Sequence, residues 1–256
     1  MQELSVVLAT FNEESNLADC LESVRGLADE IIVVDGTSKD KTVEIAKKYN
    51  AKVVITENKK NFHINKQMAI DLATKDWILQ LDADERLSPQ LRDEIKAKLE
   101  KKDLEFSGYW MPRKNFFLGR FLMKGGQYPD YTLRFYEKGK GHLPKKDVHE
   151  QAEVIGKVGY LKSALLHYPY KDFSMYLKKW NRYNDFFAVQ IKEELKAKNF
   201  FVKIFYATVY LLIKPAHWFL TTYLRHKGFM DSWQGFVFSF FSALRFPVSY
   251  IKNLTS

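Results

Sequence analysis

Residues 77–85 read Trp77-Ile78-Leu79-Gln80-Leu81-Asp82-Ala83-Asp84-Glu85, a short apolar run that ends in a cluster of carboxylates. Five residues are strand length, and the near absence of alternation predicts a strand buried on both faces whose carboxyl end opens on a polar site. Three similar runs rich in β-branched residues come before it, at residues 4–9, 30–34 and 52–56. Helix-period segments separate them, at residues 14–26, 39–49 and 61–73. This alternation predicts right-handed βαβ units, hence a parallel sheet covered on both faces. Ligands of such sheets bind at the carboxyl ends of the strands.

Three polar clusters fall at those ends: Thr10-Phe11-Asn12-Glu13, Asp35-Gly36-Thr37-Ser38-Lys39-Asp40 and Asp82-Ala83-Asp84-Glu85. They are expected to converge on one rim. For Ser38, Asp40 and Glu14 two readings stand, a helix cap and a ligand contact. In an extended segment Asp82 and Asp84 would point the same way, about 7 Å apart and alike in charge, so a cation is expected beside them. A hard divalent ion, Mg²⁺ or Mn²⁺, bridging carboxylates to the phosphates of a nucleotide fits oxygen ligands of this kind.

Beyond this region, Ser88 as N-cap and Pro89 in the first turn predict a helix to about residue 102. Residues 107–160 are punctuated by glycine and proline and read as strands and long loops, which commonly face substrate. From about Phe173 the pattern is helical. Its most apolar stretches, residues 200–224 and 232–244, are too short or too interrupted for the roughly 20 apolar residues of a spanning helix.

The chain has 256 residues and a formal charge of +9, unevenly spread. Residues 1–100 hold 14 basic and 19 acidic side chains, and residues 101–256 hold 26 and 12. Of the 39 aromatic residues, 24 lie at positions 168–256, so the tail is both basic and aromatic. One cysteine excludes a disulfide scaffold and a Cys-based zinc finger, and a reducing compartment is expected. Met1-Gln2-Glu3 lacks the positive leader of a targeting signal.

The sequence resembles the family 2 glycosyltransferases, with the nucleotide-diphospho-sugar-binding fold called GT-A. The matching pieces are Ser5-Val6-Val7-Leu8-Ala9-Thr10-Phe11-Asn12-Glu13-Glu14, Ile32-Val33-Val34-Asp35 with Ser38, Asp40 and Thr42, and Leu81-Asp82-Ala83-Asp84-Glu85. The middle is similar to the bacterial lipopolysaccharide core glucosyltransferases in residues 112–120, Gly125-Gly126-Gln127-Tyr128-Pro129-Asp130, Leu133-Arg134 and Val148-His149-Glu150, as is Gly228-Phe229-Met230-Asp231 in the tail. At Asp35-Gly36-Thr37-Ser38 the chain departs from the subgroup, which more often has Ser and Gly after the Asp. The resemblance implies an α/β, Rossmann-like, mostly parallel GT-A sheet with a helical, aromatic and basic C-terminal extension. It divides the chain into a nucleotide-sugar-binding part (residues 1–105), an acceptor-side part (106–170) and a membrane-associating extension (171–256).

Carried over by position, the resemblance places Thr10, Asn12, Glu13 and Ser38 around the nucleoside and Asp35 at the nucleobase. Asp82 would face ribose or metal, and Asp84 would be the principal metal ligand. Lys66 has two readings, a contact to the diphosphate and a solvated helix lysine. The implied reaction is transfer of a sugar, glucose or another hexose, from a nucleotide diphosphate, UDP by family expectation, to a hydroxyl with inversion. It needs stabilisation of the departing diphosphate, exclusion of water and a base on the acceptor side. Base candidates are Glu150, then Asp147, then Asp130. By strand alternation Asp147 and His149 share one face, so His149 reads either as a metal or diphosphate contact or as a hydrogen-bonded structural residue. Arg113, Arg120 and Arg134 read either as binders of diphosphate or phosphorylated acceptor, or as surface residues.

Basic residues interleaved with rings could stack on single-stranded nucleic acid. Here the rings fall in helix-period apolar runs, which favours helices lying in an anionic membrane interface, with no nucleic-acid partner. The expected partners are therefore a nucleotide-sugar donor, a lipid-anchored glycan such as lipopolysaccharide core and an anionic membrane surface, at the inner face of the cytoplasmic membrane. Two alternatives remain at this level. One is a polyprenyl-phosphate glycosyltransferase, whose acceptor oxygen is already ionised and needs no base; the other is a non-catalytic membrane- or nucleic-acid-binding module.

Overall fold

The computed structural model of the chain describes residues 1–59, 61, 63–101, 105–144 and 151–255. The first elements are β1 (Leu4–Thr10), α1 (Leu17–Ser23), β2 (Glu30–Asp35), α2 (Thr42–Lys48), β3 (Lys52–Ile55), α3 (His63–Asp71), β4 (Trp77–Leu81), β5 (Glu85–Leu87) and α4 (Pro89–Leu99). Strands then dominate: β6 (Gly108–Phe117), β7 (Arg120–Leu122), β8 (Asp130–Glu137), β9 (Gly141–His142), β10 (Glu153–Val154), β11 (Val158–Tyr160) and β12 (Leu165–His167). The remainder is helical: α5 (Phe173–Leu195), α6 (Phe200–Thr208), α7 (Lys214–Phe219) and α8 (Ser232–Thr255). π-helical turns at Val209–Ile213 and Leu220–Arg225 flank α7. The chain forms two compact units, one of Met1–Lys114 with Asp130–His167 and one of Asn115–Pro129 with Tyr168–Ser256.

The first unit is built on a sheet of strand order β3-β2-β1-β4-β8-β6-β12-β5. Its β3, β2, β1 and β4 are mutually parallel, whereas β8 is antiparallel to both β4 and β6. The parallel half follows from the βαβ alternation. In the antiparallel half, β6 and β8 come from the glycine-punctuated middle, and β12 and β5 flank it in sequence; antiparallel neighbours need no crossover helices.

Both faces of the parallel half are covered. Leu17, Cys20 and Leu21 of α1 and Leu91, Ile95 and Leu99 of α4 pack with Leu4, Val6, Leu8, Leu79 and Leu81 on one face. Ala69 and Ile70 of α3 pack with Val7, Ile32, Val34 and Ile78 on the other. At the seam, Trp77 of β4 stacks on Phe135 of β8 with ring centroids 4.6 Å apart, and Tyr109 of β6 stands 5.8 Å from Phe135. Aromatic pairs at such spacings add about 0.5–1.5 kcal/mol each beyond area burial.

Ser88 caps α4 as its sequence predicts, its hydroxyl accepting from the Leu91 amide at 3.2 Å. α1 is shorter than the expected segment 14–26. The Glu13 and Glu14 amides donate to Thr42 Oγ1 and Asp40 Oδ2 in the neighbouring loop, which holds the would-be first turn outside the helix.

In the second unit, Asp172 and Asn199 cap α5 and α6 by accepting from the Met175 and Val202 amides at 2.7 and 3.0 Å. Phe117, Leu122 and Tyr176 form its core with Trp180, Phe238 and Phe241 packed around them. Asp231, 2% exposed, accepts from the Met123 and Lys124 amides at 2.9 and 2.7 Å, so the Gly228-Phe229-Met230-Asp231 motif ties a loop to the helices. Gly235 of α8 lies against the Gly228 carbonyl so closely that a Cβ would overlap it, and only glycine fits there.

Candidate active site

Thr10 and Asp35 end paired parallel strands in register, so their side chains emerge together at the carboxyl edge. Asp35 is fully buried and accepts from three donors: Thr10 Oγ1 at 2.9 Å, Ser38 Oγ at 2.6 Å and the Ser38 amide at 2.7 Å. Ser38 Oγ in turn accepts from the Asn12 amide at 2.8 Å, and Asn12 Oδ1 accepts from the Lys39 amide at 2.8 Å. Glu13 Oε2 accepts from Asn16 Nδ2 at 2.9 Å. Thr10, Asn12, Glu13, Asp35 and Ser38 are thus brought onto one rim, with Asp35 as the post to which both loops are tied.

The departure at residues 36–37 has a structural reading. Thr37 adopts φ 64°, a left-handed conformation that glycine takes freely and a β-branched residue takes at a cost of about 1–2 kcal/mol. The loop keeps its shape with Thr where the subgroup more often has Gly because Asp35 fastens both sides of it.

At the end of β4, residues 82–84 turn rather than extend: the Glu85 amide donates to the Asp82 carbonyl and the Asp82 amide to Glu85 Oε2, each at 2.9 Å. The expectation that Asp82 and Asp84 face the same way is therefore corrected, since a closed turn sends them to different partners. Asp82 Oδ1 is ion-paired to Lys66 Nζ, and its Oδ2 accepts from Arg134 Nη2 at 2.7 Å. Asp84 Oδ2 lies 3.4 Å from His167 Nε2. The cations beside Asp82 are side chains of the chain itself.

Glu85, fully buried, is held by Arg113 Nη1 at 3.2 Å and Arg134 Nη2 at 3.5 Å. Arg113 also clasps Asp130 Oδ2 through Nε at 3.0 Å and Nη2 at 2.7 Å. Burial alone would raise the pKa of Asp82, but the Arg134 guanidinium and the Lys66 ammonium outweigh it and hold the carboxyl well below the usual carboxylate range. Burial would lower the Arg134 pKa, and Asp82 and Glu85 reverse that and raise it.

Several assignments change in consequence. Lys66 is a buried helix lysine engaged with Asp82, so its solvated reading is excluded. Arg113 and Arg134 are largely buried partners of carboxylates rather than surface residues, their side chains 21% and 12% exposed. Arg120 belongs to the second unit, 3.6 Å from Asp231. The structural roles of Glu85 and His167 are not legible from spacing. Glu85 sits beside the Asp-x-Asp motif, where the motif itself draws attention. His167 ends β12 and reaches the site through its pairing with Glu85 on β5, which no periodicity in the sequence announces.

Asp84 has no Lys or Arg ion-pair partner among the described residues, whereas Asp82 and Glu85 each have two and Asp130 has Arg113. Among the described residues Asp84 is the carboxylate of this turn left without a lysine or arginine partner, and its hard oxygens suit Mg²⁺ or Mn²⁺. Among the described residues no group of three or more His, Cys, Asp or Glu side chains is arranged to hold a metal ion. Asp147, His149 and Glu150 lie outside the described residues.

A rim of polar loops beside an acidic turn, at the carboxyl edge of a partly parallel α/β sheet, is the architecture of the GT-A class. Residues 5–152 match the model for glycosyl transferase family 2, and the chain belongs to that family. It is a glycosyltransferase. The chain is 29% identical over 255 residues to the lipopolysaccharide core biosynthesis glycosyltransferase LpsC of Rhizobium meliloti, covering 94% of this chain and 91% of that protein. It is 28% identical over 247 residues to a glycosyltransferase of Rickettsia typhi, covering 93% and 82%. Among solved structures it is similar to residues 1–349 of TarS from S. aureus, with 14% identity and a TM-score of 0.49 over 97% of this chain and 89% of that one.

Proposed function

We propose that the protein transfers a hexose, glucose in the first instance, from a UDP-sugar to a hydroxyl of a lipid-anchored glycan such as lipopolysaccharide core, with inversion at the anomeric carbon. The observation that carries this reading is the acidic turn at Asp82–Glu85, braced from three elements by Lys66, Arg113 and Arg134. Full-length similarity to LpsC supports the acceptor class.

Asp84, with Asp82 and His149, would hold Mg²⁺ or Mn²⁺, which would supply Lewis-acid stabilisation of the departing diphosphate. The remaining work falls to side chains. Thr10, Asn12, Glu13, Asp35 and Ser38 fix the loops around the nucleoside, so its binding costs little reorganisation. Lys66 places a positive charge beside Asp82, where a diphosphate would meet it. Arg113 and Arg134 neutralise Glu85 and Asp82 and so lower the repulsion that an incoming diphosphate would meet. The acceptor proton goes to a carboxylate opposite the leaving group, Glu150 first and Asp147 second. Asp130 ranks third because its Oδ2 is already occupied by two hydrogen bonds from Arg113.

The second unit supports a peripheral position on the inner face of the cytoplasmic membrane. Phe200, Phe201 and Phe205 of α6 are 70%, 80% and 63% exposed, and residues 168–256 hold 13 Lys and Arg against 5 Asp and Glu. Rings above a basic background match an interface of anionic lipid. Among the described residues no helix is long and apolar enough to cross a membrane.

Incubating the protein with a panel of UDP- and other nucleotide-hexoses, Mn²⁺ and truncated lipopolysaccharide core tests the reading directly. A glycan heavier by one hexose, with nucleoside diphosphate released, is expected. No product with any donor, in a protein whose melting temperature no donor raises, would remove the proposed activity. Flotation with phosphatidylglycerol vesicles tests the membrane position; recovery of the full chain in the aqueous fraction at low salt would exclude it.

A further inference from the structure

The second unit contains a cavity of about 220 Å³ that the transfer reaction does not use. Its wall is made by Phe187 and Ile191 of α5, Tyr210 of the first π-helical turn, Lys214 at the start of α7, and Arg245 and Phe246 of α8. Lys214 Nζ lies 3.5 Å from the centroid of the Tyr210 ring, and the Arg245 guanidinium carbon lies 4.7 Å from that of Phe187 and 5.0 Å from that of Phe246. Neither cation forms an ion pair or donates a hydrogen bond to any described residue.

Both cations are half-buried. A ring face satisfies a cation in part, by roughly 0.5–2 kcal/mol, so a guanidinium that meets rings and no carboxylate keeps N–H donors available to an anion. Burial lowers the pKa of Arg245, as expected where a charge is desolvated with no carboxylate beside it. Glu194, exposed on α5 at the cavity wall, is the one acidic residue lining it and is paired with neither cation, so the lining keeps a net positive charge. The π-helical turn that carries Tyr210 directly precedes Lys214, and such turns recur at functional sites.

We propose that this cavity binds the phosphate head group of an anionic phospholipid. Lys214 and Arg245 supply the charge-assisted donors, and the rings contact the glycerol carbons. The volume lies below the roughly 300 Å³ at which pockets begin to enclose drug-sized ligands, so it takes a head group rather than a nucleotide. Leu212 and Ile213, just upstream of Lys214, are 66% and 54% exposed and offer acyl chains an apolar surface. The proposal rests on the peripheral membrane reading and gives it a specific site: attachment is set by one occupied pocket as well as by diffuse charge.

The test uses monomeric dihexanoylphosphatidylglycerol below its micelle concentration, so that no charged surface is present, and calorimetric titration of the full chain. Three variants are compared, K214Q/R245Q, the equal-charge control K178Q/K203Q on exposed lysines, and Gln190→Trp, which fills the cavity from an exposed position without changing charge. Circular dichroism checks that each folds, and Gln190→Trp carries the test if the double variant does not. The native chain and the control are expected to bind alike, with the other two at least about tenfold weaker and inorganic phosphate also at least about tenfold weaker than the lipid. No binding of the lipid by the native chain, equal loss in both double variants, full binding by Gln190→Trp, or phosphate as tight as the lipid would each overturn the proposal. Flotation on vesicles without binding of the soluble lipid would overturn the pocket and leave the membrane reading standing.

Discussion

Arg134 Nη2 of β8 lies 2.7 Å from Asp82 Oδ2 and 3.5 Å from Glu85 Oε1, so one guanidinium ties both ends of the acidic turn to the antiparallel half of the sheet. The turn is thereby held before any ligand arrives. Lys66 approaches Asp82 from α3, and Arg113 approaches Glu85 from β6. Carboxylates gathered at a strand end would otherwise repel one another, and the three cations make the cluster affordable in a partly buried place.

Replacing Arg134 by Gln leaves Asp82 and Glu85 short of a counter-ion in the interior, and removing one partner of a buried pair costs about 3–5 kcal/mol. The urea midpoint at neutral pH is expected to fall accordingly, and transfer with it. Arg134→Lys should recover only part of the loss, because an ammonium is more strongly hydrated than a guanidinium and costs more to hold in this buried place.

Asp84 plays little part in that bracing, since its one ion-pair partner among the described residues is His167. Asp84→Ala is expected to keep its urea midpoint within about 1 kcal/mol of the native chain and to lose transfer by at least about 10²-fold. Unfolding of this variant would show that the residue is structural.

Glu150→Gln should lower kcat by about 10²–10⁴-fold, the range for loss of a positioned base, and leave donor binding unchanged. Titration with the nucleotide diphosphate and a turnover assay separate the two effects. Normal turnover would move the base to Asp147.

Glu30 accepts from Ser5 Oγ at 2.6 Å and from the Thr74 amide at 2.9 Å. Burial would raise its pKa, and these hydrogen bonds outweigh it and lower the folded-state value. A depressed carboxyl stabilises the fold fully above its unfolded pKa of about 4.3 and loses that contribution as pH falls through the folded value. Glu30→Gln should therefore cost about 1–2 kcal/mol near neutral pH and progressively less below about pH 4. Urea midpoints of both proteins across that range provide the check.

Changing Phe200, Phe201 and Phe205 together to Ser removes three rings that are mostly exposed. Thermal unfolding is expected to be unchanged, while recovery on phosphatidylglycerol vesicles falls at least about tenfold. An unchanged recovery would take α6 out of the membrane contact.

The parallel half was legible because it is local. The runs that become β1 to β4 are apolar on both faces, and Ser88-Pro89 announces its own helix. The rim residues followed, since strand ends converge once the strands are parallel. The antiparallel half was not legible in detail: β5 and β12 are three residues each, β6 and β8 are separated by glycine-rich loops, and the order of the four carries no periodic signature.

Carboxylates at the end of β4, and hence the need for positive charge beside them, are properties of the sequence by itself, because strand length and residue type suffice to place them. Which cations answer that need is decided only by tertiary structure. Lys66, Arg113 and Arg134 come from α3, β6 and β8, and only the register of an antiparallel sheet and the packing of a helix on its face bring them, and the His167 ring of β12, to the turn. The turn itself is equally tertiary, since its closure through Glu85 depends on a carboxylate that two arginines from distant strands hold in place.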